Sequence, residues 1–310
     1  MLNVVSLVLS ACSSSIPKTS DKNNDIQSEH SSIPLEIDKT ANRFPDKLVP
    51  IPDNYLTEAK QQGTLQDLYY NTYESFFYDE KSQKLQKHAV VYLPYGYDES
   101  KKYPVFYLMH GGWSNEYTYL GSSDEPHGMK HILDHGIANG EIQPMIVVCP
   151  TYNNTSPEDS GDYSLALRLT DNYHNELIND LIPAVEGKYS TYAEDTTSEA
   201  IAASRDYRAF GGFSMGSIAT WRTFEHSLDY FRYFMPSSGG PVASTETYES
   251  VIKNSGFKNG IDAMRESDSG LFCFADNEAE GNLYYLESDG DHSGEYAMLY
   301  FYNGLCWIWR

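Results

Sequence analysis

The chain alternates short apolar runs with stretches of helical periodicity, beginning well inside the sequence. Lys87-His88-Ala89-Val90-Val91-Tyr92-Leu93-Pro94 is a β-rich run stopped by proline. Tyr103-Pro104-Val105-Phe106-Tyr107-Leu108-Met109 and Pro144-Met145-Ile146-Val147-Val148-Cys149 have no polar alternation, which marks strands buried on both faces. Between them, residues 129–140 repeat apolar positions at helical spacing and end on glycine. The same reasoning predicts helices over 172–189 and 215–226, a buried strand over 207–213 and an apolar strand over 282–286. Strands alternating with helices require a parallel sheet with helices on its faces. No internal repeat is present.

The segment before this pattern is different. Residues 13–48 are dominated by Ser, Asp, Asn and Lys and cannot bury enough apolar surface to offset the entropy of ordering. Residues 1–12 are short and apolar and run into Leu9-Ser10-Ala11-Cys12 followed by serines, the pattern of a bacterial lipoprotein cleavage site, although the basic start of a signal peptide is missing. The expected organisation is therefore a lipoprotein signal segment over 1–12, with Cys12 as the lipidated residue, a disordered tether over 13–48 and one catalytic domain over 49–310. That organisation implies a lipid-anchored protein of the bacterial cell envelope or extracellular space, touching membrane only through the anchor.

Charge and cysteine content narrow the classes. With 22 basic and 44 acidic residues the net charge is −22, which repels nucleic acid and anionic membranes and excludes a nucleic-acid partner. Beyond Cys12, the odd number and wide spacing of Cys149, Cys273 and Cys306 give neither a disulfide framework nor a metal-ligand pattern, so they read as free thiols. His127, His131 and His135 share a helical face at i, i+4 and i+8, but no carboxylate pattern accompanies them; they read as a solvent-facing stripe, and no metal is assigned.

The chemistry concentrates at Gly211-Gly212-Phe213-Ser214-Met215-Gly216, a G-x-S-x-G between a predicted strand and a predicted helix. So tight a turn requires glycine at the flanking positions and lifts the Ser214 hydroxyl above the sheet's carboxyl edge, at a helix N-terminus that favours negative charge. A hydroxyl is a weak nucleophile until a base takes its proton, and in this arrangement the base follows in the chain. Among nine histidines only His292 lies well downstream, in a polar loop after the 282–286 strand. Met215 and the His110-Gly111-Gly112-Trp113 loop supply the expected backbone donors to an oxyanion. Gly112 is assigned as the second donor, with Gly111 or Trp113 as alternatives.

Taken together, residues 91–97, 107–112, 147–152, 182–193, 208–216 and Phe234-Met235-Pro236-Ser237-Ser238-Gly239 resemble the bacterial feruloyl esterases of the esterase D-like group, the first family of carbohydrate esterases. The resemblance runs from about Asn54 to Trp309. It implies an α/β-hydrolase fold, no cofactor, and hydrolysis of feruloyl or acetyl esters on plant cell-wall xylan, with Ser214 as nucleophile and His292 as base. In that family the acid follows a strand between the nucleophile helix and the histidine, and here that stretch is short. One alignment makes residues 271–275 the acid's strand and Asp276 the acid. A second, better spaced, matches residues 261–265 to the helix after the acid and leaves the acid's strand and loop missing, so that one C-terminal strand is lost from the sheet. Asp268 or Asp289 then become surrogate acids. An absent acid also opens a second expectation, an impaired hydrolase that binds esterified glycan without turnover.

Overall fold

A computed structural model describes residues 4–10, 47–255 and 283–309 of the chain. Eight strands form one sheet: β1 (Val4–Ser10), β2 (Thr64–Tyr73), β3 (Lys84–Leu93), β4 (Val105–Met109), β5 (Ile146–Cys149), β6 (Arg208–Phe213), β7 (Tyr233–Ser237) and β8 (Leu283–Ser288). They lie in the order β2-β3-β5-β4-β6-β7-β1-β8. β5, β4, β6 and β7 are parallel neighbours, whereas β2 and β3 form an antiparallel hairpin at one edge. The helices are α1 (Gly128–Ala138), α2 (Tyr163–Glu176), α3 (Ile182–Glu186), α4 (Ser198–Ala203), α5 (Met215–Ser227), α6 (Thr245–Ser255) and α7 (Gly294–Leu305).

Continuous apolar runs are needed because both sheet faces are covered. In β4, Val105, Tyr107 and Met109 pack towards α2, α5 and α6, against Leu169, Phe224 and Tyr248. Phe106 and Leu108 face the other way, against Ile132 of α1 and Phe301 of α7. Each fully buried aromatic or leucine of this kind contributes about 1.5–3 kcal/mol. The base of β6 is fixed by the buried Arg208 guanidinium, which grips Glu186 through Nε to Oε1 at 2.6 Å and Nη2 to Oε2 at 2.9 Å. Its remaining donors reach the carbonyls of Ile201 and Tyr230 and the Ser204 hydroxyl. A paired, fully hydrogen-bonded charge is the only kind that such an interior tolerates.

The helix expected over 172–189 begins nine residues earlier, at Tyr163, where the Asp162 side chain caps the Leu165 N–H at 3.0 Å. It then passes through a π-helical turn, Leu177–Leu181, into α3. β2 escaped the sequence reading because its burial alternates, as an edge strand's does, with several polar positions.

The C-terminal side of the sheet departs most from expectation. No C-terminal strand lies between β7 and β8 among the described residues; β1 occupies that position, antiparallel to both, pairing Ser6 with Ser237 and Leu286. Val-Val-Ser-Leu-Val-Leu-Ser suits a leader's apolar segment and an inner strand equally, because both are built mainly from large apolar residues. The expected acid strand over 271–275, together with Asp276 and Asp268, lies outside the described residues, as do Cys12 and Cys273.

Candidate active site

The carboxyl ends of β4, β5, β6 and β7 open onto one crevice, the place where parallel sheets of this type hold ligands. At the end of β6 the chain turns into α5 through Ser214, whose φ of 57° and ψ of −114° lie where side-chain-bearing residues are rarely found. Glycine on either side makes the turn buildable. A Cβ on Gly212 would come within 2.5 Å of the Gly216 carbonyl oxygen, and one on Gly216 within 2.3 Å of the Met109 carbonyl oxygen. The Ser214 N–H is held by the Ser237 carbonyl at 2.9 Å, so β7 braces the turn from the other side.

His292 arrives from the loop between β8 and α7. Its Nε2 lies 2.9 Å from Ser214 Oγ across 78 residues of chain, and the Phe213 ring packs against the imidazole with centroids 4.5 Å apart. The structure thus brings together the two residues assigned as nucleophile and base. The other imidazole nitrogen, Nδ1, lies 2.7 Å from the Ser238 hydroxyl. Among the described residues no carboxylate is in ion-pair range of His292, and the surrogate Asp289, exposed on the same loop, is not its partner. Sequence reasoning missed Ser238; its place directly after the apolar strand β7, at the same sheet edge as Ser214, was the available signal.

The loop after β4 is ordered by a buried histidine. His110 donates from Nδ1 to the Gly111 carbonyl at 2.7 Å and accepts at Nε2 from the Thr151 hydroxyl at 2.7 Å, while Thr151 Oγ1 in turn accepts the Asn153 N–H at 3.0 Å. Tyr152 stacks on the imidazole and donates its own hydroxyl to the Gly111 carbonyl at 2.9 Å. The Trp113 N–H is consumed by the Ser160 carbonyl at 2.9 Å, which removes Trp113 from the alternatives for oxyanion donor. Gly111 packs under the nucleophile, its Cβ position 3.5 Å from Ser214 Cβ. Met215 opens α5, where the first N–H groups have no acceptor within the helix. Beside this loop a groove of about 200 Å³ is lined by Trp113, Asn115, Pro157, Glu158 and Gly161, with the Trp113 side chain 76% exposed.

Two of the three histidines at this spacing make protein contacts, His127 at the N-cap of α1 and His135 in its last turn. His127 meets the Thr118 carbonyl, and His135 the Thr57 carbonyl and the face of Tyr55, so the expected solvent stripe is partly packed against the N-terminal turn. Cys149 is a buried free thiol whose pKa burial pushes up, and Cys306 is half-buried.

Comparison with known proteins decides the family. Residues 82–253 match the family model described as an esterase. The chain belongs to this esterase family. Its feruloyl-esterase-like character follows from a solved structure, the feruloyl esterase module from Clostridium thermocellum complexed with sinapinate. That structure is 31% identical, with a TM-score of 0.68, over 87% of this chain and 96% of that one. Endo-1,4-beta-xylanase Y of Acetivibrio thermocellus is 36% identical over 83% of this chain. The endo-1,4-beta-xylanase/feruloyl esterase of Xylanibacter ruminicola is 32% identical over 57%. The esterase spans 24% and 22% of the length of these two relatives, respectively.

Burial pushes the His110 imidazole down to about 4, against an ordinary value near 6.5, the Gly111 bond opposing only in part. The unfolded chain therefore takes up this proton first as pH falls. The contribution is complete above pH 6.5 and lost as pH falls towards 4, by up to about 3 kcal/mol. Urea unfolding of wild type and His110→Asn at pH 7, 5.5 and 4.5 should show the wild-type midpoint falling more steeply; parallel profiles would discard this assignment.

Proposed function

We propose that the esterase hydrolyses feruloyl or acetyl esters carried on xylan, through an acyl-enzyme on Ser214. The observation that carries this reading is the 2.9 Å approach of His292 Nε2 to a serine hydroxyl presented on a strained strand-to-helix turn. In the resting state Ser214 donates its hydroxyl proton to the lone pair on Nε2. As Oγ attacks the ester carbonyl the proton passes to Nε2, and charge develops on the carbonyl oxygen, where the N–H groups of Gly112 and Met215 receive it. The imidazolium returns the proton to the departing sugar hydroxyl. Water, relieved of a proton by the same nitrogen, then attacks the acyl carbonyl; the bond to Ser214 Oγ breaks, Oγ takes the proton back from the imidazolium, and the acid is freed. Every proton in the cycle moves among Ser214, His292, alcohol and water, so the chemistry calls for no cofactor.

The acyl and sugar assignment is supported by the relatives, two of them xylanases and one of these also named a feruloyl esterase, and by the groove that continues from the Gly112 loop under the exposed Trp113 face. A flat aromatic surface beside the donors suits either a hydroxycinnamoyl ring or a sugar ring.

A second reading, glycan binding without turnover, is favoured by one observation: among the described residues His292 Nδ1 meets a hydroxyl and no carboxylate. Loss of the acid costs a related triad on the order of 10⁴ in rate, yet leaves catalysis well above that of water alone. The esterase reading is preferred because nucleophile and base are in contact. Purified full-length protein should release p-nitrophenol from p-nitrophenyl acetate and ferulate from methyl ferulate, and Ser214→Ala should lower both rates at least about a thousandfold. Equal rates in the two proteins reject Ser214; no rate in either, with retained binding to feruloylated xylan, selects the second reading.

We also propose that the protein is secreted and anchored through a lipid on Cys12, supported by Leu9-Ser10-Ala11-Cys12 and the polar stretch behind it. The described chain, with β1 in the sheet, is then the form before processing. The intact mass of membrane-extracted protein should correspond to a chain starting at acylated Cys12; a mass that retains residues 1–11 would exclude the anchor.

A further inference from the structure

We propose that Ser238 is the positioning residue of the base, its hydroxyl holding His292 in the tautomer that leaves Nε2 free to receive the Ser214 proton; this rests on the esterase reading of the site. An imidazole that accepts at Nε2 must carry its hydrogen on Nδ1. Neutral histidine in water prefers the opposite tautomer, so a catalytic base needs an acceptor at Nδ1. At that nitrogen stands Ser238 Oγ, 2.7 Å away. With Nδ1–H donating to it, a hydroxyl fills the position that a carboxylate usually takes.

The hydroxyl is not placed there by chance of a loose surface loop. Ser238 has a φ of 56°, left-handed and costly for a residue with a side chain. Its neighbours hold it in that conformation by bonds to the nucleophile's own helix. The Ser237 carbonyl receives the Ser214 N–H at 2.9 Å. The Gly239 carbonyl receives the Ser217 hydroxyl at 2.7 Å and the Trp221 indole N–H at 2.9 Å. Gly239 lies so close to the turn that a Cβ there would stand 2.8 Å from the Ser214 carbonyl oxygen. Nucleophile and Ser238 are thus parts of one rigid frame, and His292, on an exposed loop, is aligned by being held at both nitrogens. Phe213 backs the ring and limits its rotation.

A hydroxyl orients the imidazole as a carboxylate does, but offers no negative charge to the imidazolium formed during attack. The consequence falls on turnover and not on substrate affinity.

The test uses the full chain. Ser238→Ala and Ser238→Gly both delete the hydroxyl, and the glycine variant also relaxes the positive φ, so folding is not at risk. Both should lower kcat for p-nitrophenyl acetate and methyl ferulate about five- to tenfold, with KM within about twofold of wild type. Nitrogen-15 NMR of the imidazole should report Nδ1–H in wild type and a shift towards Nε2–H in both variants, a change that a merely structural role does not produce. Unchanged kcat in both variants beside an inactive Ser214→Ala overturns the proposal, as does an Nε2–H imidazole in wild type. A loss in Asp276→Asn exceeding that of both hydroxyl deletions also overturns it. If Ser214→Ala keeps the wild-type rate, the esterase reading fails, and the tautomer measurement still decides on Ser238.

Discussion

The turn at Ser214 is the constraint on which the rest of the molecule depends. A positive φ at a residue with a side chain persists only if its surroundings over-determine it. Here they do so from three directions. Gly212 and Gly216 let the turn close against the end of β4, β7 receives the Ser214 N–H, and the paired Arg208 fixes the far end of β6 inside the protein. Shift any of these and the hydroxyl moves away from the imidazole, whose reach is set by a different strand, β8. The two-faced core can be understood as the support for that one angle: α5, which begins at the turn, is packed through Phe224 into the apolar layer that also buries β4.

The site combines two polar networks of different character. The one around His110 is buried and neutral, with each ring nitrogen in a single defined role, and it shapes the loop that carries Gly112. The one around His292 is at the surface, with serine hydroxyls on both nitrogens. Among the described residues this base is oriented by hydroxyls alone. The groove beside Trp113 and the loop that carries Gly112 are built from residues 110–161, apart from the loop that carries His292.

Much of this was readable in the residues. Uninterrupted apolar runs at 105–109, 146–149 and 208–213 leave no face for water, and only a sheet with helices on both sides answers that. The glycines around Ser214 announce a turn that other residues cannot make, and His292 was identified by its place after the last strand. Ser238 was passed over although it directly follows the apolar run of β7, because its role exists only once β7 is laid beside β6. The start of α2 was missed because its first two residues, Tyr163 and Ser164, are exposed and its cap, Asp162, acts through one side-chain bond. Residues 4–10 illustrate a different limit, since Val- and Leu-rich residues serve a leader and an inner strand equally well.

The central claim is that Ser214 is a hydroxyl activated by His292. It is tested most directly by exposing the full-length protein to a fluorophosphonate ester, which reacts only with serines activated in this way, and mapping the adduct by mass spectrometry. The expected result is one phosphonate per chain on Ser214, with labelling greatly slowed in His292→Ala. An unlabelled protein, an adduct elsewhere, or equal labelling without His292 would contradict it.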